Sequence, residues 1–243
     1  MFRIEWHDRL ASTNKTMKER LLAGEILPEG LVIAAREQTA GRGRFDRTWI
    51  APPGKNLTFS VLHWSNRSAL DCAAVPMAAA LAVAQCARSL GVPAMVKWPN
   101  DVLANDRKLC GILSERLEVD GRGACVIGVG VNVNMTESDL SAIDQPANSI
   151  RAELGHDVPL EAVLHSIGET LGAWLSAWDE EGFAGLLAGW SAHCAWMNER
   201  VKVIDGERIR RGVLHAFGAR GELILRTDAG LESIWAGDLR RDA

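Results

Sequence analysis

The segment Lys108–Asn134, KLCGILSERLEVDGRGACVIGVGVNVN, carries two strand-like runs on either side of a turn. Strands are predicted over Lys108–Leu117 and Ala124–Asn134, because both runs are rich in apolar and β-branched residues. Asp-Gly-Arg-Gly at residues 120–123 separates the two runs and favours a β-hairpin. We therefore expect this hairpin to form part of the sheet on which the chain is built.

Shorter runs on both sides of the hairpin extend the sheet and supply its helices. Apolar runs predict further strands over Ile4–Trp6, Leu31–Ala35, Asn56–His63 and Met95–Trp98, with the alternating polarity of Asn56–His63 indicating one buried face. Helices are predicted from the capping residues Ser12–Asn14 to Ala23, and over Ala69–Leu90, Leu160–Trp178 and Phe183–Trp196. We expect a mixed sheet with helices on one side of it.

The sequence pattern changes near Asn198. Between Arg200 and Leu239, short alternating runs are separated by glycine-containing turns, which predicts a small antiparallel barrel. The predicted fold class is therefore α+β. We expect a mixed-sheet domain over residues 1–197 and a small β domain over residues 198–243.

The composition excludes several classes of protein. The chain has 243 residues with a formal net charge of −4, which argues against a general nucleic-acid-binding protein. We find no apolar run long enough to span a membrane, and no signal peptide at the N-terminus. The five cysteines include no Cys-x-x-Cys pair, so neither a zinc site nor a disulfide framework is indicated. Reduced thiols in the cytoplasm are expected.

The polar stretch Gly41–Trp49, GRGRFDRTW, is predicted to be a loop that binds anions. Glycine lets backbone N–H groups approach a ligand closely, and arginine binds phosphate or carboxylate through two parallel hydrogen bonds. Arg47 adds a third cation to Arg42 and Arg44. Because the stretch matches neither the Walker pattern nor a dinucleotide fingerprint, it is by itself equally consistent with a solvated basic loop or an RNA-binding Arg-Gly stretch.

Two lysines stand at the ends of predicted strands. In KWPND at residues 97–101, the lysine precedes a turn that Asn100 and Asp101 suit. Lys108 opens the first strand of the hairpin, where Gly111 indicates close approach of a ligand to the backbone. This pattern predicts ammonium groups beside a phosphate, with Asp101 available to Mg²⁺ or to orient a neighbour. The alternatives are an ordinary strand–turn–strand connection and a lysine exposed on a hairpin.

The second strand of the hairpin alternates glycine with valine in Gly128-Val129-Gly130-Val131-Asn132. Since side chains alternate between the faces of a strand, one face would be flat glycine, which suits the wall of a ligand slot. Asn132 falls on the same face, where its amide could bind the edge of a base. The alternative is a bulged strand in the core.

Together, five motifs in this order resemble the catalytic domain of the biotin–protein ligases. They are Ser12-Thr13-Asn14, Gln38–Arg44 with Trp49, Lys97–Asp101, Asp106–Glu115 and Gly128–Asn132. The resemblance covers residues 12–132, and the small C-terminal β domain also resembles the tail of that family. It implies a class II synthetase-like ligase domain, which binds biotin and ATP, followed by an SH3-like β-barrel.

The resemblance also implies an activity. An ATP-dependent ligase of this kind forms biotinyl-5′-adenylate and transfers biotin to a lysine of a carrier protein, with biotin and ATP as substrates and Mg²⁺ as cofactor. The implied partner is a biotin carboxyl carrier protein or domain, as in an acyl-CoA carboxylase. Because the catalytic pattern begins almost at Met1, no DNA-binding domain and no specific DNA binding are expected. Monomer and homodimer both remain open.

The matching motifs assign three overlapping sets of site residues. The catalytic set is Arg42, Arg44, Lys97 and Lys108. The biotin-binding set is Ser12, Thr13, Asn14, Gln38, Gly41, Arg42, Gly43, Arg44, Lys108, Gly111, Ile112, Gly128 and Gly130. The set that binds ATP or the adenylate, with Trp49 stacked on adenine, is Arg44, Trp49, Lys97, Asn100, Asp101 and Asn132. No metal ligand is assigned beyond Asp101 as a candidate.

One position departs from the family pattern, because Asp46 stands where glycine is usual. Its carboxylate either weakens ATP binding or points to solvent. Since an acyl adenylate is hydrolytically labile, we also expect Gly41–Arg47 to be mobile without ligand and ordered with it. Two alternative functions stay open: a lipoate or octanoate protein ligase or transferase, which shares the general fold, and a non-enzymatic nucleotide- or RNA-binding regulator.

Overall fold

The computed structural model describes residues 2–45 and 47–242. Within these residues, seven strands form the larger sheet: β1 (Arg3–Leu10), β2 (Leu31–Gln38), β3 (Leu57–Ser65), β4 (Ala94–Lys97), β5 (Asp101–Ala104), β6 (Arg107–Val119) and β7 (Arg122–Val131). The helices are α1 (Thr13–Leu22), α2 (Val75–Ser89), α3 (Glu137–Ser141), α4 (Ile150–Leu154), α5 (Leu160–Glu181) and α6 (Ala184–His193). A 3₁₀ turn, Asp71–Ala74, leads directly into α2.

The larger sheet is mixed, as predicted. Its strand order is β1-β2-β3-β7-β6-β5-β4, with β1 and β2 parallel and the remaining neighbours antiparallel. The predicted hairpin forms β6 and β7, and its turn contains Asp120 and Gly121, both with positive φ. β5 is a strand that the sequence did not predict, since Asp101 begins it instead of lying in a turn.

Helices cover both faces of the larger sheet, so the expectation of helices on one side is wrong. Alternate residues of β2 belong to different apolar clusters: Val32 packs with α2 and α5, whereas Ile33 packs with Met17 and Leu21 of α1. β3 is consequently buried along almost its whole length instead of having one exposed face. This double coverage buries the polar side chains Thr58, Ser60 and His63 together with the apolar ones.

The apolar helix α2 is a core helix. The stretch Asp71–Ser89 has the length and mean hydropathy, 1.3, of a membrane-spanning helix, but 72% of it is buried inside the protein. Pro76 lies in the first turn, where proline costs no backbone hydrogen bond, and Gly91 follows the end of the helix with φ +93°.

Within the described C-terminal residues, five strands form a second, antiparallel sheet: β8 (Arg200–Asp205), β9 (Arg208–Phe217), β10 (Leu223–Thr227), β11 (Gly230–Ile234) and β12 (Asp238–Arg241). The predicted runs correspond to β8–β11, and β12 pairs with β8. Phe217 packs edge-on against Phe183 and Trp190, which joins this sheet to the main core. The predicted α+β class with a small β domain is confirmed, whereas the division at residues 197/198 stays a prediction.

A buried histidine on β3 links stability to pH. His63 Nδ1 lies 2.9 Å from Glu29 Oε1, and its Nε2 lies 3.1 Å from Asp179 Oδ2 on α5. Burial acts to lower the pKa of His63, but the two carboxylates outweigh it and raise the pKa above its usual value. The protonated imidazole therefore stabilises the fold below about pH 6.5, and this contribution is lost as the pH rises through the raised pKa.

We expect His63→Gln to lower the free energy of unfolding by about 2 kcal/mol at pH 6, because a buried charge-assisted hydrogen bond is removed. The loss should shrink toward pH 9, where the imidazole is neutral. Urea denaturation across this pH range measures the difference. His165→Gln, at an exposed position of α5, is the control. A loss that does not change with pH would contradict the assignment.

Candidate active site

A cavity of about 360 Å³ opens where the start of α1, the Gly41–Trp49 loop and the β6–β7 hairpin meet. Most of the predicted site residues line it, namely Ser12, Thr13, Asn14, Gln38, Arg42, Gly43, Arg44, Trp49, Lys97, Asn100, Asp101, Lys108, Gly111, Ile112, Gly128 and Gly130. The predicted residues Gly41 and Asn132, both in the described part of the chain, are not among its lining residues.

The first turn of α1 forms one end of the cavity, the α1 end, where Ser12, Thr13 and Gln38 present uncharged polar groups. Ser12 is the N-cap of this helix, with an extended backbone and a hydroxyl that accepts a hydrogen bond from Lys15 N at 3.5 Å. Gln38, at the end of β2, reaches the same turn, and its Oε1 accepts a hydrogen bond from the Thr13 N–H at 2.8 Å. Because α1 connects the parallel neighbours β1 and β2, residues distant in sequence meet here.

Asn14 lies beneath this turn and joins α1 to three strands. Its Nδ2 donates to the Leu113 carbonyl at 3.1 Å and to Glu115 Oε2 at 3.0 Å, both on β6. Its Oδ1 lies 2.6 Å from the Ser60 hydroxyl on β3. A Cβ at Gly128 on β7 would collide with the same amide. Glycine at this position of the predicted wall therefore makes room for Asn14.

Three residues at this end are absent from the predicted site. Lys18 and Glu115 form an ion pair at 2.5 Å on the rim of the cavity, and Ser60 lies fully buried behind it. Glu115 belongs to one of the matching motifs, and a hydroxyl inside the apolar strand β3 is a visible signal for Ser60. Lys18 carries no such signal, because only the packing of α1 on the sheet brings it to Glu115.

Trp49 lies over the predicted glycine surface. Gly111 and Gly130 are directly paired on β6 and β7. A Cβ on Gly130 would collide with the indole, and one on Gly111 would approach the same ring at 3.1 Å. Lys108 Nζ lies 5.9 Å from the ring centroid, within the range of a cation–π attraction. The half-buried indole thereby becomes part of the cavity wall.

Backbone hydrogen bonds close the glycine- and arginine-rich loop on itself. The Trp49 N–H donates to the Gly41 carbonyl at 3.0 Å, and the Gly43 N–H donates to the Arg47 carbonyl at 2.7 Å. A Cβ at Gly41 would lie 2.8 Å from the Trp49 carbonyl oxygen, so glycine there permits the closure. The expectation for Asp46 lies outside the described residues, and loop mobility stays a prediction.

Asp101 lies between the two predicted lysines. Lys108 Nζ is 2.8 Å from its Oδ1, and Lys97 Nζ is 3.2 Å from its Oδ2. Burial of the carboxyl group acts to raise its pKa, but the two ammonium groups outweigh burial and hold the pKa below its usual value. The pairing of Lys97 with Asp101 across β4 and β5 thus creates a buried cluster with one more positive than negative charge.

Arg44 brings a further cation to this cluster. Its Nη1 donates to Asn100 Oδ1 at 2.9 Å, while Asn100 Nδ2 donates to the Ile112 carbonyl at 2.6 Å. Burial lowers the pKa of Arg44 below its usual value, against the opposing effect of Asp101 and Asp238. The guanidinium is therefore partly removed from water and held by Asn100, which is itself hydrogen-bonded to β6.

Asp238, at the start of β12, is a second carboxylate at this end that the sequence did not predict. It lies 3.3 Å from Arg47 Nη2 and 3.6 Å from Lys97 Nζ, and the adjacent Gly237 carbonyl lies 3.4 Å from Arg44 Nη1. The smaller sheet consequently contributes to the cavity. No local motif marks Asp238, because only the packing of the two sheets brings it to the lysines.

Asn132 follows the end of β7 and turns away from the cavity. Its Nδ2 donates to the carbonyl oxygens of Asn148 and Lys108 at 3.0 and 3.4 Å. Its Oδ1 accepts a hydrogen bond from Asn56 Nδ2 at 3.1 Å. Because β7 stops at Val131, the alternation that was expected to place Asn132 on the glycine face does not reach it, and its amide is fully used inside the protein.

No metal-binding cluster is formed within residues 2–45 and 47–242, where no group of three or more His, Cys, Asp or Glu side chains is suitably placed. Asp101, the candidate ligand, has an ammonium group against each carboxylate oxygen. The Asp101 carboxylate is therefore placed to orient the two lysines and not to coordinate a metal ion.

Comparison with known proteins places the chain in a family. Residues 6–132, just over half of the chain, match the model of the biotin/lipoate A/B protein ligase family. A biotin–[acetyl-CoA-carboxylase] ligase of Paracoccus denitrificans is 33% identical over 95% of this chain and 98% of its own length. The bifunctional ligase/repressor BirA of Bacillus subtilis is 29% identical over 96% of this chain and 72% of its own length.

Solved structures agree with these matches. A biotin protein ligase from Aquifex aeolicus, described in complex with biotin and ATP, has a TM-score of 0.83 and 26% sequence identity, covering all of both chains. The family match, the full-length relatives and the shared fold all point the same way. The chain belongs to the biotin/lipoate A/B protein ligase family.

Proposed function

We propose that this chain is an ATP-dependent biotin–protein ligase, which activates biotin as biotinyl-5′-adenylate and transfers it to a lysine of a carrier protein. The full-length relative named as a biotin–[acetyl-CoA-carboxylase] ligase and the similar structure described with biotin and ATP support this proposal. In the chain itself, one observation carries it: a single cavity joins uncharged hydrogen-bonding groups at α1 to a buried cation cluster.

The α1 end suits the biotin ring system. Ser12, Thr13 and Gln38 offer hydroxyl, amide and backbone groups without a formal charge there, which matches a neutral ureido ring. Lys18 and Glu115 at the rim are paired with each other. Beside the uncharged groups, Gly111, Gly128 and Gly130 present no side chains, which leaves space above the sheet. We assign the ring system of biotin to this end, with its carboxylate directed toward the arginines of the loop.

The charged end suits the reacting groups. The biotin carboxylate must approach the ATP phosphates, and two like charges 4 Å apart repel by about 4 kcal/mol at the effective dielectric of a protein surface. Arg42, Arg44, Lys97 and Lys108 are the cations that we assign to offset this repulsion. Asp101 holds both lysines in place, so little reorganisation is needed when negative charge develops in the transition state.

Two steps follow from this arrangement. A carboxylate oxygen of biotin attacks the α-phosphorus of ATP, and the bond to pyrophosphate breaks. The neutral amine of the carrier lysine then attacks the carbonyl carbon of the mixed anhydride, AMP leaves, and the nitrogen releases one proton to solvent as the amide forms. We assign Trp49 to the adenine base, because its indole lines the cavity beside Lys108, and we leave Asn132 out of the adenine contacts.

The remaining assignments are proposals of the same kind. The acceptor would be a biotin carboxyl carrier protein or domain, and Mg²⁺ would arrive with ATP, bound by its phosphate oxygens. A cytoplasmic location is consistent with the free, buried thiols of Cys72, Cys86, Cys110, Cys125 and Cys194. We propose the catalytic domain as residues 1–197 and the small β domain as residues 198–243, with the latter supplying Asp238 to the site.

Exchange of labelled pyrophosphate into ATP tests the proposed function directly. We expect exchange that depends on biotin and that neither lipoate nor octanoate supports. Mass spectrometry of a carrier domain incubated with the protein, biotin and ATP should show the added mass of one biotinyl group. Exchange driven by lipoate in place of biotin would overturn the assignment of substrate.

Arg44→Ala should leave the fold intact and lower kcat for adenylate formation by about 10²–10³-fold, because it removes a charge that acts mainly in the transition state. Single-turnover measurement of adenylate gives this rate. Arg208→Ala, at an exposed site on β9, is the control and should retain full activity. Normal adenylate formation by Arg44→Ala would remove the loop from the site.

Lys108→Ala should release the adenylate about 10–100-fold faster, since an ammonium that contacts the reacting groups is lost and Asp101 keeps only one partner. The matched control is Lys55→Ala. Lys55 Nζ lies 2.6 Å from Asp139 Oδ2, and neither residue lines the cavity. Stopped-flow dissociation of the adenylate gives both rates. Equal dissociation from the two variants would exclude Lys108 from the site.

A further inference from the structure

Ser60 lies behind the α1 end of the cavity and has no surface exposed to solvent. It is not one of the cavity-lining residues. Its Oγ is 2.7 Å from Thr13 Oγ1 and 2.6 Å from Asn14 Oδ1. The hydroxyl therefore connects two residues of the first turn of α1.

The orientation of the Asn14 amide follows from its neighbours. Its Nδ2 faces the Leu113 carbonyl and the Glu115 carboxylate, at 3.1 and 3.0 Å. Both of these groups accept hydrogen bonds and neither can donate one, so the reversed amide would set oxygen against oxygen. Oδ1 must therefore face Ser60, where it can only accept.

The far end of this chain of hydrogen bonds is anchored by charge. Lys18 Nζ lies 2.5 Å from Glu115 Oε1. Burial acts to raise the pKa of Glu115, but the hydrogen bonds from Lys18 and Asn14 outweigh it and lower the pKa below its usual value. An ionised carboxylate only accepts hydrogen bonds, so it fixes the direction of every bond that follows.

The direction at Thr13 follows from counting protons. Ser60 has one hydroxyl proton, and its contact with Asn14 Oδ1 requires it because the amide oxygen has none to give. The contact of 2.7 Å between the two hydroxyls then requires the Thr13 proton. Gln38 Oε1, at the longer distance of 3.2 Å from Thr13 Oγ1, is left to accept the Thr13 N–H at 2.8 Å.

We propose that Ser60 is a positioning residue that turns the Thr13 hydroxyl proton into the protein, so that Thr13 Oγ1 presents only lone pairs to the ligand. The site then selects a ligand that carries an N–H donor at this point. The ureido ring of biotin has two such groups, whereas the dithiolane of lipoate and the octanoyl chain have none. This inference rests on the proposed function and names the feature of the substrate that the α1 end selects.

Calorimetric binding of biotin to the full-length protein tests the proposal. In Ser60→Ala the Thr13 hydroxyl regains its freedom to rotate, and Kd for biotin should rise about tenfold, with kcat at saturating biotin within about twofold of its original value. Thr58→Val is the matched control, because Thr58 is a buried hydroxyl on the same face of β3 that donates to the Ala35 carbonyl instead.

A double-mutant cycle with Thr13→Val separates positioning from general damage to the fold. If Ser60 acts through Thr13, adding Ser60→Ala to Thr13→Val should change Kd for biotin by less than about twofold. A further tenfold loss in that background would overturn the proposal, as would unchanged binding by Ser60→Ala alone.

If the alanine variant does not fold, Ser60→Cys keeps a weak donor at similar volume and should bind biotin with intermediate affinity. Wild-type affinity of this variant would count against the proposal.

Failure of this inference is distinguishable from failure of the proposed function. If Thr13→Val binds biotin normally, Thr13 is not at the biotin site, and the assignment of that end is wrong. If Thr13→Val binds weakly while Ser60→Ala binds normally, the site stands and only the role of Ser60 falls. Absence of biotin-dependent pyrophosphate exchange in the unmodified protein would reject the function itself.

Discussion

In this structure β6 pairs with β7 so that Gly111 lies opposite Gly130 and Leu113 lies opposite Gly128. Because side chains alternate between the faces of a sheet, a slip of one residue would bring Ile112 and its neighbours to the face where the glycines now lie. The glycines leave the space that the indole of Trp49 and the amide of Asn14 occupy. The shape of the cavity floor therefore depends on one strand register.

Packing on both faces of the sheet maintains that register. Ile127 and Val129 of β7 belong to the large core beneath α2 and α5, whereas Ala124 and Val126 pack in the cluster beside α1. Because β7 is apolar on both faces, a change of register would move apolar side chains out of one cluster or the other. The burial that stabilises the sheet thus also keeps Gly128 and Gly130 on the face that lines the cavity.

The electrostatics of the site differ from those of the whole chain. The net charge of the protein is −4, yet Lys97, Lys108 and Arg44 converge on one cavity. Asp101 offsets only part of this positive charge, and Asp238 reaches it from the other sheet. A local field of this kind attracts anionic groups whatever the overall charge is, because burial reduces screening by water.

The sequence by itself determined the class of the fold, the β6–β7 hairpin, the cap of α1 at Ser12 and most of the residues that line the cavity. Those features depend on residues close together in the chain, through turn chemistry, capping and alternation, and the order of the motifs adds the family. Only the tertiary structure decided that Asn132 turns inward, that Asp101 holds two lysines, that Ser60 lies behind the cavity, and that Lys18 and Asp238 reach its lining. Each of these depends on contacts between distant segments, whose distances and hydrogen-bond directions are set by how the elements pack and not by any local pattern.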